Sequence, residues 1–306
     1  MKPLVTVIAI SYNHAAYVQK ALTALFNQGY QSIEVIILDD CSKDDSVEKI
    51  ENFIEDKEIK FIKHKENQGY TRTFNEGLSM ATGKYVVDYS LDDLMLPDFI
   101  ESSVEKLEVL DNTYGLVFSN ADYINEAGDI IANHNELLFK KNMLKSIPSG
   151  DVFHWVLKRY FICTPTMLMN REMLMKLGGY DEQLAYEDFD LWVRAARHWK
   201  FAFLDEVTFQ KRKLKSSMSA QRHMHHYNEQ MNSVYAVCRK AFHLCKSKDD
   251  LKALHERLNY EYRQCVKHGA EHLVDQYILL LQEAGGSLSK KSRFYRWYKR
   301  KFRLIR

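Results

Sequence analysis

The chain lacks the usual carriers of several functions. Its five cysteines, Cys41, Cys163, Cys238, Cys245 and Cys265, are odd in number and scattered, with no C-x-x-C pair. That argues against a disulfide or zinc framework and for reduced thiols in a cytosolic protein. No stretch approaches the roughly 18 uninterrupted apolar residues of a membrane-spanning helix. The short apolar run at residues 1–10 is followed by Ser11, Tyr12, Asn13 and His14, without a small-residue cleavage pattern, so a secretory leader is not expected. Internal repeats are absent. Acidic residues are missing from one place in particular: residues 287–306 hold nine Lys or Arg and no acid. Setting that tail aside leaves 34 basic against 41 acidic residues, so a net charge of +2 divides into a body of about −7 and a tail of +9.

What remains is an ordinary globular composition, 46% hydrophobic and 27% charged, over 306 residues. That length suits one large α/β domain or two smaller ones. Residues 4–10 (LVTVIAI) form a near-continuous β-branched run, as expected of a strand buried on both faces. A helix follows, with Tyr17, Val18, Ala21, Leu22, Leu25 and Phe26 at helical spacing, Asn13 as its cap and Gly29 at its end. Residues 33–38 (IEVIIL) are a second buried strand, 44–56 a second helix, 59–62 a short strand, 70–80 a third helix and 85–89 a fourth strand. Further on, 115–119 and 164–169 read as strands, Gly178-Gly179 as a tight turn and 187–198 as a helix. Residues 133–150 are polar and read as a mobile loop. From about Met218 the pattern is helical throughout.

Alternating strands and helices imply a mostly parallel sheet with helices on both faces. Ligands of such sheets bind beyond the carboxyl ends of the strands. Three strand ends then bring Ser11-Tyr12, Asp39-Asp40 and Asp92-Asp93 towards one edge. In YSLDDLMLP, residues 89–97, the adjacent carboxylates have two readings. They can cap a turn or helix start beside Pro97, or they can hold a hard cation such as Mg²⁺ or Mn²⁺. Recurrence of polar and acidic clusters at successive strand ends favours the second, because a structural turn does not require it.

With these residues in view, the chain resembles the inverting nucleotide-sugar glycosyltransferases of family 2, the bacterial polysaccharide type with the GT-A fold. Six ordered blocks within residues 3–219 carry the resemblance: VTVIAISYNHAAYVQKALTALFNQ, IEVIILDDCSKDDS, NQGYTRTFNEGLSMATGKYVV, YSLDDLMLP, CTPTMLMNREMLMKLGGYDEQ and YEDFDLWVRAARHWKFAFLDE. One position departs from the family pattern D-x-D-D, since Ser90 stands where the first Asp would be.

The resemblance implies roles for single residues. Tyr12, after Ser11, would pack on the nucleobase. Asp40 would accept from the uracil N–H, while Asp39 is the better candidate for a turn. Asp93 would ligate the divalent cation, with Asp92 beside it facing the ribose or donor sugar. Arg72 and the basic group Lys211, Arg212, Lys213 and Lys215 are candidates for diphosphate contacts; a solvated basic face is the competing reading. Among His223, His225 and His226 no metal ligand can be singled out. Asp188 would be the base that deprotonates the acceptor hydroxyl, with Glu187 contacting the acceptor. The plain alternative is that Glu187, Asp188 and Asp190 enrich the first turn of a helix, where negative charge is favourable.

Two domains are expected, a catalytic one at 1–219 and a helical region at 220–306 ending in the tail KKSRFYRWYKRKFRLIR. Basic residues beside Phe294, Trp297 and Tyr298 fit a helix lying on an anionic membrane; a disordered end and a partner-binding helix are the alternatives. No RNA-reading motif accompanies the charge, so nucleic acid is not expected. The implied function is transfer of a sugar from a UDP-sugar, with Mg²⁺ or Mn²⁺, to a saccharide or lipid-linked acceptor during cell-surface polysaccharide assembly. The implied location is the cytoplasm, peripherally at the inner face of the membrane, with the helical region able to form a dimer. A non-catalytic subunit that binds nucleotide or membrane is the alternative. A nucleotidyltransferase would need a glycine-rich phosphate loop after the first strand, and NHAAYVQK is not one.

Overall fold

A computed structural model describes residues 2–214 and 227–303. The chain divides into two compact units. The first comprises Met1–Asp151, Phe161–Glu182 and His198–Ser217; the second comprises Val152–Tyr160, Gln183–Arg197 and Met218–Arg306. They interleave along the sequence, where a single cut at 219/220 was expected. The candidates Lys215, His223, His225 and His226 lie outside the described residues.

The first unit opens with β1 (Val5–Ser11), α1 (Val18–Phe26), β2 (Ile33–Asp39), α2 (Ser46–Ile54), β3 (Lys60–Lys63), α3 (Tyr70–Met80) and β4 (Tyr85–Ser90). After these come β5 (Leu94–Met95), α4 (Phe99–Glu108), β6 (Tyr114–Ile124), β7 (Ile130–Asn133) and α5 (His134–Lys140). The chain then enters the second unit through α6 (Phe153–Lys158) and returns for β8 (Leu168–Asn170) and α7 (Arg171–Leu177). After α8 (Glu187–Ala196), which is part of the second unit, β9 (Lys200–Arg212) completes the first. Last are α9 (Tyr227–Leu244), α10 (Lys248–His268), α11 (Glu271–Glu283) and α12 (Lys290–Arg303).

Among the described residues nine strands form one sheet in the order β3-β2-β1-β4-β8-β6-β9-β5, with β7 paired to β6. The stretch β3-β2-β1-β4 is parallel throughout, and β6 and β9 are parallel to each other. Antiparallel β8 joins the two parts. All seven residues of β1 are buried, as its unbroken β-branched run predicts. Successive side chains alternate in face. Val5, Val7 and Ala9 join a core with Val18, Ala21, Leu22 and Leu25 of α1 and Phe99, Ile100 and Val104 of α4. Ile8 turns to the opposite face, where α3 comes so close that a Cβ on Gly77 would lie 2.5 Å from Ile8 Cγ2. Gly77 thus permits the contact between helix and sheet, and helices cover both faces.

Two local expectations change. Asn13 does not cap α1, which starts at Val18; it adopts a left-handed φ of 56°. Its side-chain Oδ1 accepts instead from the Lys43 backbone N–H at 2.7 Å, binding the loop after β1 to the loop after β2. Residues 133–150 are not simply a loop. The Asn133 side chain accepts from the Glu136 N–H and starts α5, so a capping residue lay inside a polar run.

In the second unit, Arg257 on α10 explains why α6 packs there. Its buried guanidinium donates to the Leu157 carbonyl at 2.7 Å and to Glu261 at 3.0 Å, and its centre lies 4.0 Å from the Tyr160 ring. Likewise α8 is bound to α9 by Lys240, whose Nζ lies 2.7 Å from Asp190. A capping box at Ser247 starts α10. Ser289 and Ser292 tether α12 to Asn259 of α10. No helix among the described residues is long and apolar enough to cross a membrane.

Candidate functional site

Successive strands are added on one side, β1 to β2 to β3, and then β4 is laid on the other side of β1. Between β1 and β4 the winding reverses, and such a switch point leaves a crevice at the carboxyl ends of the strands. Register places Ser11 beside Asp39 and Ile10 beside Ser90, so the three strand ends seen in the sequence are neighbours. Ser11 is fully buried, and its Oγ has no hydrogen-bond partner among the described residues. Tyr12, one residue on, is 42% exposed, which leaves an aromatic face open to a flat ligand.

The two acids after β2 have different tasks. Asp39 shapes the turn by accepting from Ser42 N at 2.8 Å and Ser42 Oγ at 2.5 Å. Asp40 is buried and faces the start of α3. Its Oδ1 accepts from the Gln68 N–H at 2.8 Å and lies 2.8 Å from His64 Nδ1; its Oδ2 accepts from the Gly69 N–H at 2.9 Å. A carboxylate offers about four acceptor directions. Among the described residues, these contacts leave one, on Oδ2. Gly69 can present its N–H because it adopts a φ of 90°, a conformation that costs glycine little. Nothing near Asp40 in the chain marks Gln68, Gly69 and His64 as its partners, since they lie 24–29 residues away. The only signal was NQG just ahead of α3.

At the end of β4, Ser90 Oγ donates to Asp92 Oδ1 at 2.6 Å, so the departing residue of the motif supports its neighbour. Asp92 is half-buried and Asp93 buried. Asp93 Oδ1 accepts from the Arg212 N–H at 2.6 Å. Burial, followed by the charge of Asp92, pushes the Asp93 carboxyl up to about 8. Among the described residues no group of three or more His, Cys, Asp or Glu is arranged to hold a metal ion. The pair alone can supply only part of a cation's ligands.

Of the basic candidates, Arg212 is a strut. It is buried, with donors on the carbonyls of Asp92, Asn125 and Glu126, and its guanidinium lies 4.5 Å from the Tyr17 ring centre. Arg72, in the first turn of α3, is exposed and lies 3.3 Å from Glu182. Lys213 stands over the Tyr123 ring at 3.8 Å. Asp88 of β4 is buried and accepts from Tyr70 Oη at 2.5 Å and Tyr180 Oη at 2.8 Å, bracing the first turn of α3.

In the second unit, the first turn of α8 carries Glu187, Asp188 and Asp190. Asp190 is fully buried between Arg194, at 2.6 Å, and Lys240, at 2.7 Å. Its purpose is structural. Glu187 is buried and Asp188 half-buried.

The profile described as glycosyl transferase family 2 matches residues 6–178, more than half of the chain. The chain belongs to glycosyl transferase family 2. An uncharacterised family relative from Rickettsia typhi is 32% identical over 211 residues, covering 69% of this chain and 64% of its own length. Another from Methanocaldococcus jannaschii is 29% identical over 210 residues, 67% of this chain and 69% of that one. The chain therefore spans about two thirds of these relatives. Among solved structures, residues 1–349 of Staphylococcus aureus TarS in complex with UDP-GlcNAc superpose with a TM-score of 0.70 at 15% identity, over 94% of this chain and 82% of that one. A mannosyltransferase from Pyrobaculum calidifontis in complex with GDP-Man and Mn²⁺ gives 0.64 at 19% identity, over 98% and 84%. These likenesses establish a shared GT-A-like fold.

Proposed function

We propose that this family 2 chain is an inverting glycosyltransferase. It moves a hexosyl or N-acetylhexosaminyl group from a UDP-sugar, with Mg²⁺ or Mn²⁺, to a hydroxyl of a saccharide or lipid-linked acceptor in cell-surface polysaccharide assembly. One observation carries the reading: Tyr12, Asp40 and the Asp92–Asp93 pair follow three neighbouring parallel strands at the switch point. The exposed Tyr12 ring stacks on the base. The remaining acceptor direction of Asp40 takes the uracil N–H. Asp92, oriented by Ser90, faces the ribose or the donor sugar.

The residues fit a divalent cation. A buried carboxyl beside a second carboxyl resists ionising alone and gains from a neighbouring 2+ charge. Mg²⁺ needs few protein ligands, because water and substrate phosphates fill the rest of its shell. Asp93 and Asp92 would hold the ion, which supplies charge stabilisation to the departing diphosphate. The relatives' ligands, UDP-GlcNAc in one and GDP-Man with Mn²⁺ in the other, support a nucleotide-sugar donor and a divalent ion.

Asp188 acts as the base. The acceptor oxygen forms its bond to the anomeric carbon from the face opposite UDP. The anomeric C–O bond breaks with its electron pair leaving on the diphosphate, and the hydroxyl proton passes to the Asp188 carboxylate. Glu187 orients the acceptor. Asp188→Asn tests this: UDP release from a panel of UDP-sugars with acceptor should fall by at least about 100-fold, within the range of general-base catalysis, with UDP affinity retained. Turnover unchanged in that variant would remove Asp188 from the mechanism. No turnover by either protein, with UDP still bound, would favour a non-catalytic nucleotide-binding subunit.

The tail belongs to the same reading. Phe294 and Trp297 are 60% and 54% exposed, with ring centres 5.8 Å apart. Ser292, tethered to α10, is buried on the other side of α12. An exposed aromatic pair on a helix rich in Lys and Arg suits the headgroup region of an anionic membrane. That would place the protein peripherally at the inner face.

A further inference from the structure

His64 links two carboxylates. Its Nδ1 is 2.8 Å from Asp40 Oδ1 and its Nε2 is 3.0 Å from Glu76 Oε2 on α3. The His64 and Asp40 side chains are only 4% and 3% exposed, against 39% for Glu76. Both oxygens of Asp40 accept backbone N–H bonds, from Gln68 and from Gly69, which is the pattern of a carboxylate. His64 Nδ1 is then the donor to Asp40. Glu76 at Nε2 is answered in the same way when that nitrogen also carries a proton, since a carboxylate only accepts.

We infer that His64, held by Glu76, is a positioning residue that sets nucleobase preference by keeping Asp40 an acceptor. The inference rests on the reading of Asp40 as the residue that meets the base. Uracil presents an N–H at its third ring position, and an acceptor matches it. Cytosine presents a bare nitrogen there, and a carboxylate repels it; only a protonated Asp40 could donate to it. With a donor fixed at Oδ1 and two backbone N–H groups behind it, Asp40 keeps an acceptor turned to the base. Without His64, Asp40 can swing away from that geometry, and the distinction weakens. Sequence patterns hide this residue, because HKENQG reads as a polar loop.

Calorimetric dissociation constants of UDP and CDP, both measured with Mn²⁺, test the inference on the wild type, His64→Leu and Glu76→Gln. The wild type should prefer UDP. In His64→Leu the ratio of the CDP to the UDP constant should fall roughly ten-fold, as expected for loss of one hydrogen bond to a charged group. Glu76→Gln should lower it in the same direction by less. A purely structural role for His64 would weaken both nucleotides alike and leave the ratio unchanged; that result would overturn the inference while leaving the uridine reading intact. If His64→Leu does not fold, the partly exposed Glu76→Gln decides by the same ratio. A wild type that binds both nucleotides equally would sink the reading of Asp40 itself, and this inference with it.

Discussion

The backbone N–H of Arg212 donates to Asp93 Oδ1 at 2.6 Å across 119 residues of sequence. The same residue's side chain reaches the Asp92 carbonyl at 2.9 Å. Thus the last residue of β9 holds the acidic pair after β4 from two sides, and the carboxylates do not depend on a flexible loop for their position. Tyr89 adds a further hold, with its hydroxyl 3.0 Å from the Asp93 carbonyl.

Arg212→Met should therefore destabilise the protein well beyond the loss of a surface charge. Three carbonyls lose a buried donor, and each unsatisfied group costs about 1–3 kcal/mol. With partial relaxation we expect a total of about 2–4 kcal/mol, read as a lower midpoint in urea unfolding. A midpoint equal to that of the wild type would show that the guanidinium is not a strut.

Asp93 makes stability depend on pH in an unusual direction. The carboxyl stands at about 8 in the folded chain, against 3.8 for the free group. Between these values the unfolded chain gives up a proton that the folded chain keeps. Stability without divalent cation should then decline as pH rises from about 4 to about 8 and stay lower above that. Asp93→Asn lacks this decline, so metal-free Asp93→Asn should melt higher than wild type at pH 8.5. Added Mn²⁺ should raise the wild-type melting temperature and leave that of the variant unchanged. A metal-free variant that melts lower at pH 8.5 would contradict the account.

For the tail, sedimentation with lipid vesicles is the appropriate measurement. Each basic residue near an anionic surface is worth about 1 kcal/mol, so binding should be strong on phosphatidylglycerol vesicles and weaken with salt. Phe294→Ala with Trp297→Ala should reduce it several-fold. Equal binding to neutral vesicles, or none to either kind, would remove the membrane from the reading.

What was legible in the sequence follows from locality. The strands β1, β2 and β4 announce themselves as short runs dominated by apolar residues, and the polar residues that follow them, Tyr12, Asp40 and the Asp92–Asp93 pair, are visible at once. What completes the site depends on long-range pairing. Gln68, Gly69 and His64 meet Asp40 only because β3 lies beside β2 and α3 starts next to it. Arg212 read as one charge in a basic cluster, since nothing nearby in sequence shows that carbonyls from Asn125 and Glu126 will surround it. The same limit hid the division of the chain, because Arg257 reaches Leu157 across 100 residues.

The central claim is a uridine nucleotide held with a divalent ion at the end of β4. Calorimetric titration of the purified protein with UDP, with and without Mn²⁺, repeated on Asp93→Ala, tests it most directly. The account predicts binding that Mn²⁺ strengthens in the wild type and a loss of that strengthening in the variant. Folded wild type that fails to bind UDP, or binds it equally with and without Mn²⁺ and with and without Asp93, would contradict it.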